Sequence, residues 1–374
     1  MKRIKIIEAI RQGSIGGGES HVIDVVKHLD KARYEPVVLS FTEGEMIRTL
    51  NDMGVKTVVI PTTKPFDFRM WPKVKSFFQQ EQPDVVHAHG TRAMSNVFTS
   101  ARALKIPLIY TIHGWSFHDN QKPLVQRVRV WSEGFLARRA DVNISVSHSN
   151  QQTGKDKIKD FESVVVKNGV DFAKFSRNTS AEDLRAQLNI PAGNVVIGFI
   201  ARFTYQKSPV LMLEAFAALA KDQPNLTLLM VGDGELMPEV KASIQTLGIA
   251  DKVVLTGFRK DVPALLHVID IFCLPSLWEG LPLGLLEAMA MQKAVVATAV
   301  DGSKEIIVHG ENGLLTTPGN RDELQHALAR AAADEGLRKK MALSAFQYVT
   351  AHHSVQTMVT QIENIYDSFN GKTR

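Results

Sequence analysis

The sequence predicts an α/β protein made of two Rossmann-like domains that face one another across a cleft. Three observations predict it. Apolar runs of strand length alternate with amphipathic helical patterns, the signature of βαβ crossovers and a mostly parallel sheet. The alternation runs through the first half of the chain and starts again after Asn194. The length of 374 residues suits two domains of roughly 150 to 200 residues each.

In the first half the strand candidates are Lys5 to Ala9, Pro36 to Ser40, Thr57 to Ile60, Asp84 to Ala88, Leu108 to Thr111 and Val142 to Ser145. Helical spacing lies between them at Ser20 to Leu29, Trp71 to Gln80 and Arg92 to Leu104. Asn168-Gly169-Val170-Asp171 opens a polar stretch through Asn194 that reads as the linker. The second series has strands at Val195 to Ala201, Leu226 to Gly232, Val253 to Thr256, Ile269 to Pro275 and Ala294 to Thr298. Its helices are Pro209 to Ala220, Leu236 to Leu247, Val262 to Val268 and Gly284 to Met291. After Arg321 the pattern is helical to the end, and the last helix, near Ser354 to Ser368, follows a break at Ala351-His352-His353. These bounds give domains of 1–170 and 171–353.

Hydrophobic residues at 44% and charged residues at 22% are ordinary for a globular protein with a full core. No run of about 18 apolar residues occurs, which excludes a spanning helix. The start, Met1-Lys2-Arg3-Ile4-Lys5, is basic, but its apolar run is short and interrupted by charge, unlike a signal peptide. A cytoplasmic protein is expected. Cys273, the single cysteine, forbids an internal disulfide and reads as a small core residue. The net charge is +5 and uneven: residues 1–171 hold 25 Lys and Arg against 18 Asp and Glu, the rest 19 against 21. A basic half suits a diphosphate substrate or an acidic membrane surface, with scattered surface lysines as the plain alternative. No nucleic acid is expected as a partner.

Glu279 and Glu287 stand eight residues apart around a Gly/Pro turn, after the apolar run Ile271-Phe272-Cys273-Leu274 and before a helical pattern. Open α/β sheets bind ligands at such strand-to-helix turns. Two carboxylates there suit neutral hydroxyls, as on sugars, better than a bare phosphate. Arg202 and Lys207 follow the strand that ends at Ala201, and Pro209 suits a first helical position. Two cations so placed can neutralise a diphosphate and the charge of a leaving nucleotide, although loop surface charges look the same in a sequence. Gly13-Ser14-Ile15-Gly16-Gly17-Gly18-Glu19-Ser20 follows the first strand and lacks dinucleotide spacing; Ser20 is a plausible helix cap, and the run is either a tight turn or a backbone approach to an anion. His113 ends a strand, and Trp115 beside it could stack on a sugar face or simply pack. His87 and His89 share a strand face with no obvious third metal ligand. Asp233 reads as a helix cap. Residues 122–139 mix cations with Val, Leu, Phe and Trp, as an interfacial helix does and as a core-facing helix with a basic side also does.

The E-x7-E spacing of Glu279 and Glu287 resembles that of retaining GT-B glycosyltransferases, glycosyltransferase family 4 in particular, and the other landmarks follow in the family's order over nearly the whole chain. The resemblance implies a GT-B fold with a donor-binding second domain, an acceptor-binding first domain and a last helix, about 354–374, that crosses back to the first. It implies that His113, Arg202, Lys207 and Glu279 carry the chemistry. Gly16 and Gly17 would approach the donor phosphates and Glu287 the ribose, while Gly232, Phe258, Arg259, Gly280, Leu281, Pro282 and Leu283 would line the donor. Glu19, His89 and Trp115 are assigned to the acceptor side. Ala201 and Ser208 stand where the family usually has Gly. The implied donor is a nucleotide-diphosphate sugar, UDP-sugar first, with no cofactor and no metal. Absence of any Asp-x-Asp agrees with that, since metal-dependent transferases of the other main fold use it to hold a divalent ion. A saccharide or lipid-linked acceptor, envelope or exopolysaccharide synthesis, and peripheral contact with the inner face of the cytoplasmic membrane complete the expectation. A GT-B sugar-nucleotide epimerase or hydrolase and a non-catalytic sugar-nucleotide-binding protein share these features and stay open.

Overall fold

Runs rich in Ile, Val and Leu pair side by side into parallel sheets because both faces of each sheet are covered by helices, which removes the need for polar alternation. The computed structural model describes residues 3–14, 16–119, 121–176 and 182–369. It divides into one unit of Met1–Gly169 with Val355–Arg374 and a second of Val170–Ser354.

The first unit runs β1 (Ile4–Ile10), α1 (Gly17–His28), β2 (Tyr34–Ser40), α2 (Glu45–Asp52), β3 (Lys56–Val59), α3 (Trp71–Glu81), β4 (Val85–His89), α4 (Gly90–Ala103), β5 (Leu108–Ile112), α5 (Pro123–Ala137), β6 (Val142–Ser145), α6 (His148–Lys157) and β7 (Val164–Val165). Its sheet order is β3-β2-β1-β4-β5-β6-β7, so the chain reverses direction of growth between β1 and β4. Ile7, Ala9, Val86, Ala88 and Tyr110 face a core shared with α3 and α4.

The second unit holds α7 (Glu182–Gln187), β8 (Val195–Ile200), a 3-10 turn at Tyr205–Lys207, α8 (Pro209–Asp222), β9 (Leu226–Val231), α9 (Met237–Thr246), β10 (Val253–Gly257), α10 (Val262–Val268), β11 (Ile271–Leu274), α11 (Leu283–Ala290), β12 (Ala294–Thr298), α12 (Asp301–Ile306), β13 (Leu314–Thr316), α13 (Arg321–Ala333) and α14 (Glu335–His352). Its sheet order is β10-β9-β8-β11-β12-β13, with the reversal between β8 and β11. The last helix, α15 (Val355–Asp367), belongs to the first unit. There Val355, Met358, Val359, Ile362 and Tyr366 cover Ile4, Ile6, Val85 and Ile109 on the sheet face opposite Ile7 and Ala9.

Several local expectations change. Helix α1 begins three residues earlier than Ser20, at Gly17, with Gly16 as its N-cap and no side-chain cap. Gly16 has no side-chain oxygen to offer, but its carbonyl accepts from the Ser20 N–H at 2.8 Å, so Ser20 lies inside the first turn instead of capping it. Asp233 caps nothing either: its carboxylate accepts from the Gly234 N–H at 2.7 Å, and α9 starts after Leu236. The short strands β7 and β13 and the helices α2, α6 and α12 escape the pattern reading. Helix α6 is polar along most of its length and is started by Ser147, whose hydroxyl accepts from the Asn150 N–H at 3.0 Å.

Candidate active site

Each unit gathers its chemistry-bearing residues at the carboxyl ends of strands at or beside its reversal point, where open α/β sheets bind ligands.

In the second unit, β8 delivers Arg202 and β11 delivers Glu279. Three contacts join the segments that follow these strands. The Leu277 N–H donates to Gln206 O at 2.8 Å, and Gln206 Nε2 donates to Trp278 O at 2.7 Å. Lys207 Nζ forms an ion pair with Glu279 Oε1, with the Glu279 side chain 7% exposed. Ser208 turns the chain at φ +51° so that Pro209 can open α8. A positive φ costs a residue with a Cβ, so Ser208 fills a place where glycine would sit without strain. Glu287 lies half-buried on α11, one turn inside the helix. Leu281 and Leu283 are buried beside it, and Pro282 is the N-cap position of α11.

Two glycines hold this region close. Gly232 has φ +142°, and a Cβ there would overlap Ala201 O, next to Arg202. Its turn is fastened by Phe203 N–H donating to Asp233 O at 2.9 Å. Gly302, at the start of α12, lies so near Gly280 O that a Cβ would collide with that backbone. Phe258, after β10, is 47% exposed, and Arg259 beside it pairs with Asp261 at 2.5 Å.

In the first unit, Gly16 to Gly18 follow β1, and His113 follows β5. Among the described residues an added Cβ on Gly17 would meet nothing within 4 Å, whereas one on Gly18 would come within 3.4 Å of the His113 ring. Open space at the first turn of α1, whose N–H groups have no side-chain cap, is what an anion would require. His113 is half-buried. Burial first, and then its neighbours His21, His89 and Arg11, hold its pKa well below the ordinary imidazole value, so it stays neutral.

Behind His113 lies a buried polar network that sequence reasoning missed. Residues 6, 8 and 10 of β1 share a face, which puts Glu8 between Ile6 and Ile10, fully buried. Parallel register sets Glu8 opposite His87. Glu8 Oε2 meets His89 Nε2 at 2.8 Å, and Glu8 Oε1 accepts from the Tyr366 hydroxyl at 2.6 Å. His89 Nδ1 lies 3.0 Å from His113 Nε2, while His87 joins Tyr366 and Thr111, each at 2.7 Å. His21 on α1 reaches Asn168 through Nδ1 at 3.0 Å, and burial holds its pKa down at about 3. The missed signal was one carboxylate within the apolar strand Ile4–Ile10, a costly residue to bury without partners. The expected lack of a third group near His87 and His89 is therefore corrected by Glu8. The sets Glu8, His87, His89 and His21, His89, His113 each bring ligand atoms within 4.8 Å, close enough to hold a metal ion. In the first set Glu8 and His89 are hydrogen-bonded to each other, His87 Nδ1 lies 3.3 Å from Glu8 Oε2, and both His87 nitrogens are engaged by Tyr366 and Thr111.

The three residues assigned to the acceptor side lie in the interior. Glu19 is 1% exposed and bonded to Arg11, and His89 is 1% exposed. Trp115 stacks on Phe117 and donates from Nε1 to Asn150 O at 2.8 Å, so its faces serve packing. Apolar burial of a large ring outweighed display at the strand end. Cys273 is buried, and burial pushes its thiol far up, away from reactivity.

Family models cover both units in succession. "Glycosyltransferase Family 4" matches residues 15–174, and "Glycosyl transferases group 1" matches 180–347. The chain belongs to glycosyltransferase family 4. This glycosyltransferase is 26% identical over 376 residues to the UDP-Gal:alpha-D-GlcNAc-diphosphoundecaprenol alpha-1,3-galactosyltransferase of Escherichia coli, covering 97% of each chain. It is also 26% identical to the N-acetyl-alpha-D-glucosaminyl L-malate synthase of Bacillus anthracis, over 82% of each. Among solved structures, Anabaena Alr3699/HepE in complex with UDP and glucose superposes with a TM-score of 0.87 at 26% identity, covering 98% of this chain and 100% of that one. Sucrose-phosphate synthase from Thermosynechococcus elongatus shares the fold, with a TM-score of 0.82 at 19% identity. The family and the two parallel-sheet α/β domains of a GT-B protein are thus as the motif order implies.

Proposed function

We propose that this glycosyltransferase is a metal-independent retaining hexosyltransferase that moves a sugar from a UDP-sugar to a hydroxyl of a saccharide or lipid-linked acceptor in bacterial envelope or exopolysaccharide synthesis. The observation that carries the reading is the convergence of Arg202, Lys207 and Glu279 at one reversal point, although Lys207 and Glu279 are 72 residues apart. Arg202 and Lys207 hold the diphosphate and stabilise the leaving UDP as charge develops on it, which supplies the positive charge that a divalent ion supplies elsewhere. Glu279 orients the donor sugar's hydroxyls and Glu287 accepts the ribose hydroxyls. Gly16 and Gly17 approach the donor phosphates, and His113, as a neutral ring, meets a hydroxyl of the transferring sugar. Donor binding falls to the second unit, acceptor binding to the first.

The anomeric carbon–phosphate oxygen bond breaks as the acceptor oxygen bonds to the same face of the carbon, and the acceptor proton passes to the departing phosphate oxygen. No carboxylate nucleophile is needed, so the E-x7-E pair has no glycosidase role. The donor preference draws on the UDP and glucose bound by the 26% identical HepE and on the UDP-galactose used by the E. coli relative.

Helix α5 supports peripheral membrane contact. Leu124, Val128 and Trp131, spaced for one helical stripe, are 73%, 56% and 65% exposed, with Arg127 and Arg129 among them. No helix among the described residues is long and apolar enough to cross a membrane.

Release of nucleoside diphosphate from UDP-, GDP- and ADP-sugars, with and without lipid-linked and saccharide acceptors, tests the reading. The expected result is acceptor-dependent UDP release that survives chelator, gives a product of retained anomeric configuration and falls about 100- to 1,000-fold in both Glu279→Ala and Arg202→Ala. Turnover without acceptor would replace transfer by epimerisation or hydrolysis.

A further inference from the structure

The His113 ring has two nitrogens, and the protein's own hydrogen bonds decide which one carries the proton. Proton positions follow from bookkeeping around Glu8. Tyr366 is buried, and burial together with Glu8 raises its pKa well above 10, so its O–H remains a donor and points to Glu8 Oε1 at 2.6 Å. That leaves the Tyr366 oxygen to accept from His87 Nδ1–H at 2.7 Å, and His87 Nε2 to accept from the Thr111 hydroxyl at 2.7 Å. Glu8 Oε2 takes its second bond from His89 Nε2–H at 2.8 Å. With its Nε2–H donated to Glu8, His89 turns the lone pair of Nδ1 to the partner 3.0 Å away, so His113 Nε2 is the donor. His113 is then left with an unprotonated Nδ1.

We infer that Glu8 is a positioning residue: acting through His89, it locks His113 in the Nε2–H tautomer, so that the free Nδ1 accepts a hydrogen bond from a substrate hydroxyl. The catalytic consequence rests on the proposed transfer reaction; the tautomer does not. The network has the logic of a carboxylate that orients one imidazole, extended by a second ring. Its members come from β1, β4, β5 and α15, so no one element can supply it. A ring that accepts from a neutral hydroxyl needs no charge of its own and leaves the cationic work to Arg202 and Lys207. An imidazolium would place a further positive charge among three other buried histidines, His21, His87 and His89, whose ring centroids lie 4.1 to 5.5 Å from one another or from His113.

Nitrogen-15 and carbon-13 spectra of histidine-labelled full-length protein at pH 7.5, without ligands, read the tautomers directly. Expected are a neutral His113 with its proton on Nε2 and a neutral His89 also protonated on Nε2. Glu8→Gln keeps the shape but removes the carboxylate, so the His113 signal should move to a mixture of tautomers, with circular dichroism unchanged. In that variant kcat for sugar transfer should fall about 10- to 100-fold while KM for the UDP-sugar stays within about threefold. Tyr366→Phe, which removes one Glu8 bond and little volume, should give a smaller fall in the same direction and guards against a folding failure of the first variant. Three results would overturn the inference: a wild-type His113 protonated on Nδ1, an imidazolium at His89, or stoichiometric zinc held by these histidines in the purified protein. An unchanged tautomer and kcat in a folded Glu8→Gln would overturn it as well. Acceptor-independent turnover with the predicted tautomer would defeat the transfer reading and leave the locked ring standing.

Discussion

Gly302 does at the residue scale what no side chain could. Its lack of a Cβ lets the start of α12 press on the backbone of Gly280, the residue after Glu279. Gly302→Ala must push that backbone away, and with it the carboxylate paired to Lys207. Displacement of about 1 Å at a positioned group costs on the order of 100-fold in rate. Gly302→Ala is therefore expected to cut kcat/KM for transfer by about that factor while the protein still folds; activity within threefold of wild type would mean that the loop adjusts without moving Glu279. Lys207 and Glu279 were recognisable in the sequence because each stands at a fixed distance from a strand end. Their pairing was not, because it depends on β8 and β11 lying side by side. Trp115 shows the opposite limit. An aromatic residue two places past His113 looks like a sugar platform, yet neighbours remote in sequence, Phe161 and Asn150, claim its edge and its N–H.

Helix α5 poses its question at the scale of the element. Its second half is anchored by Glu133, Leu136 and Ala137, all buried, while its first half displays Leu124, Val125, Val128 and Trp131. An outward apolar stripe on a globular surface, set among Lys122, Arg127 and Arg129, is costly unless something covers it. An acidic bilayer suits both the rings and the charges. Vesicles containing phosphatidylglycerol should sediment with the protein and shift Trp131 fluorescence to the blue, whereas Leu124→Ser with Trp131→Ala should abolish both effects and leave the thermal midpoint within about 2 °C. Equal binding by the double variant would remove α5 as the contact. The composition of residues 122–139 showed a helix with mixed character. Which of its faces is buried was decided by packing on α4 and the sheet, and the apolar stripe fell on the outside.

At the scale of the whole molecule, buried neutral histidines make stability depend on pH. His21 has a folded pKa of about 3 against about 6.5 in an unfolded chain. As the pH falls below 6.5 the unfolded state takes up a proton that the folded state refuses, so stability is complete above that value and declines toward pH 3. The loss is about 1.4 kcal/mol per pH unit for His21, and fully buried His87, its pKa also held well below the usual value by burial, adds in the same direction. Thermal melts should show a midpoint that falls by several degrees between pH 7 and pH 5, and by less in His21→Gln. A midpoint flat over that range would mean that these rings titrate normally.

Sequence alone determined the fold class and the family, and it marked Arg202, Lys207, Glu279, Glu287 and His113 as candidates, because strand periodicity, turn residues and fixed spacings are local properties that survive in a linear text. It also placed most strands within two residues of their observed ends. Tertiary structure alone decided that Glu8, 358 residues before Tyr366, shares a hydrogen bond with it, that His89 stands behind His113, and that the stripe on α5 faces outward. Those facts depend on strand order and on the return of α15 to the first sheet. A single sequence does not encode them in any short window, since cross-strand neighbours are set by where the chain comes back, not by what lies next to it.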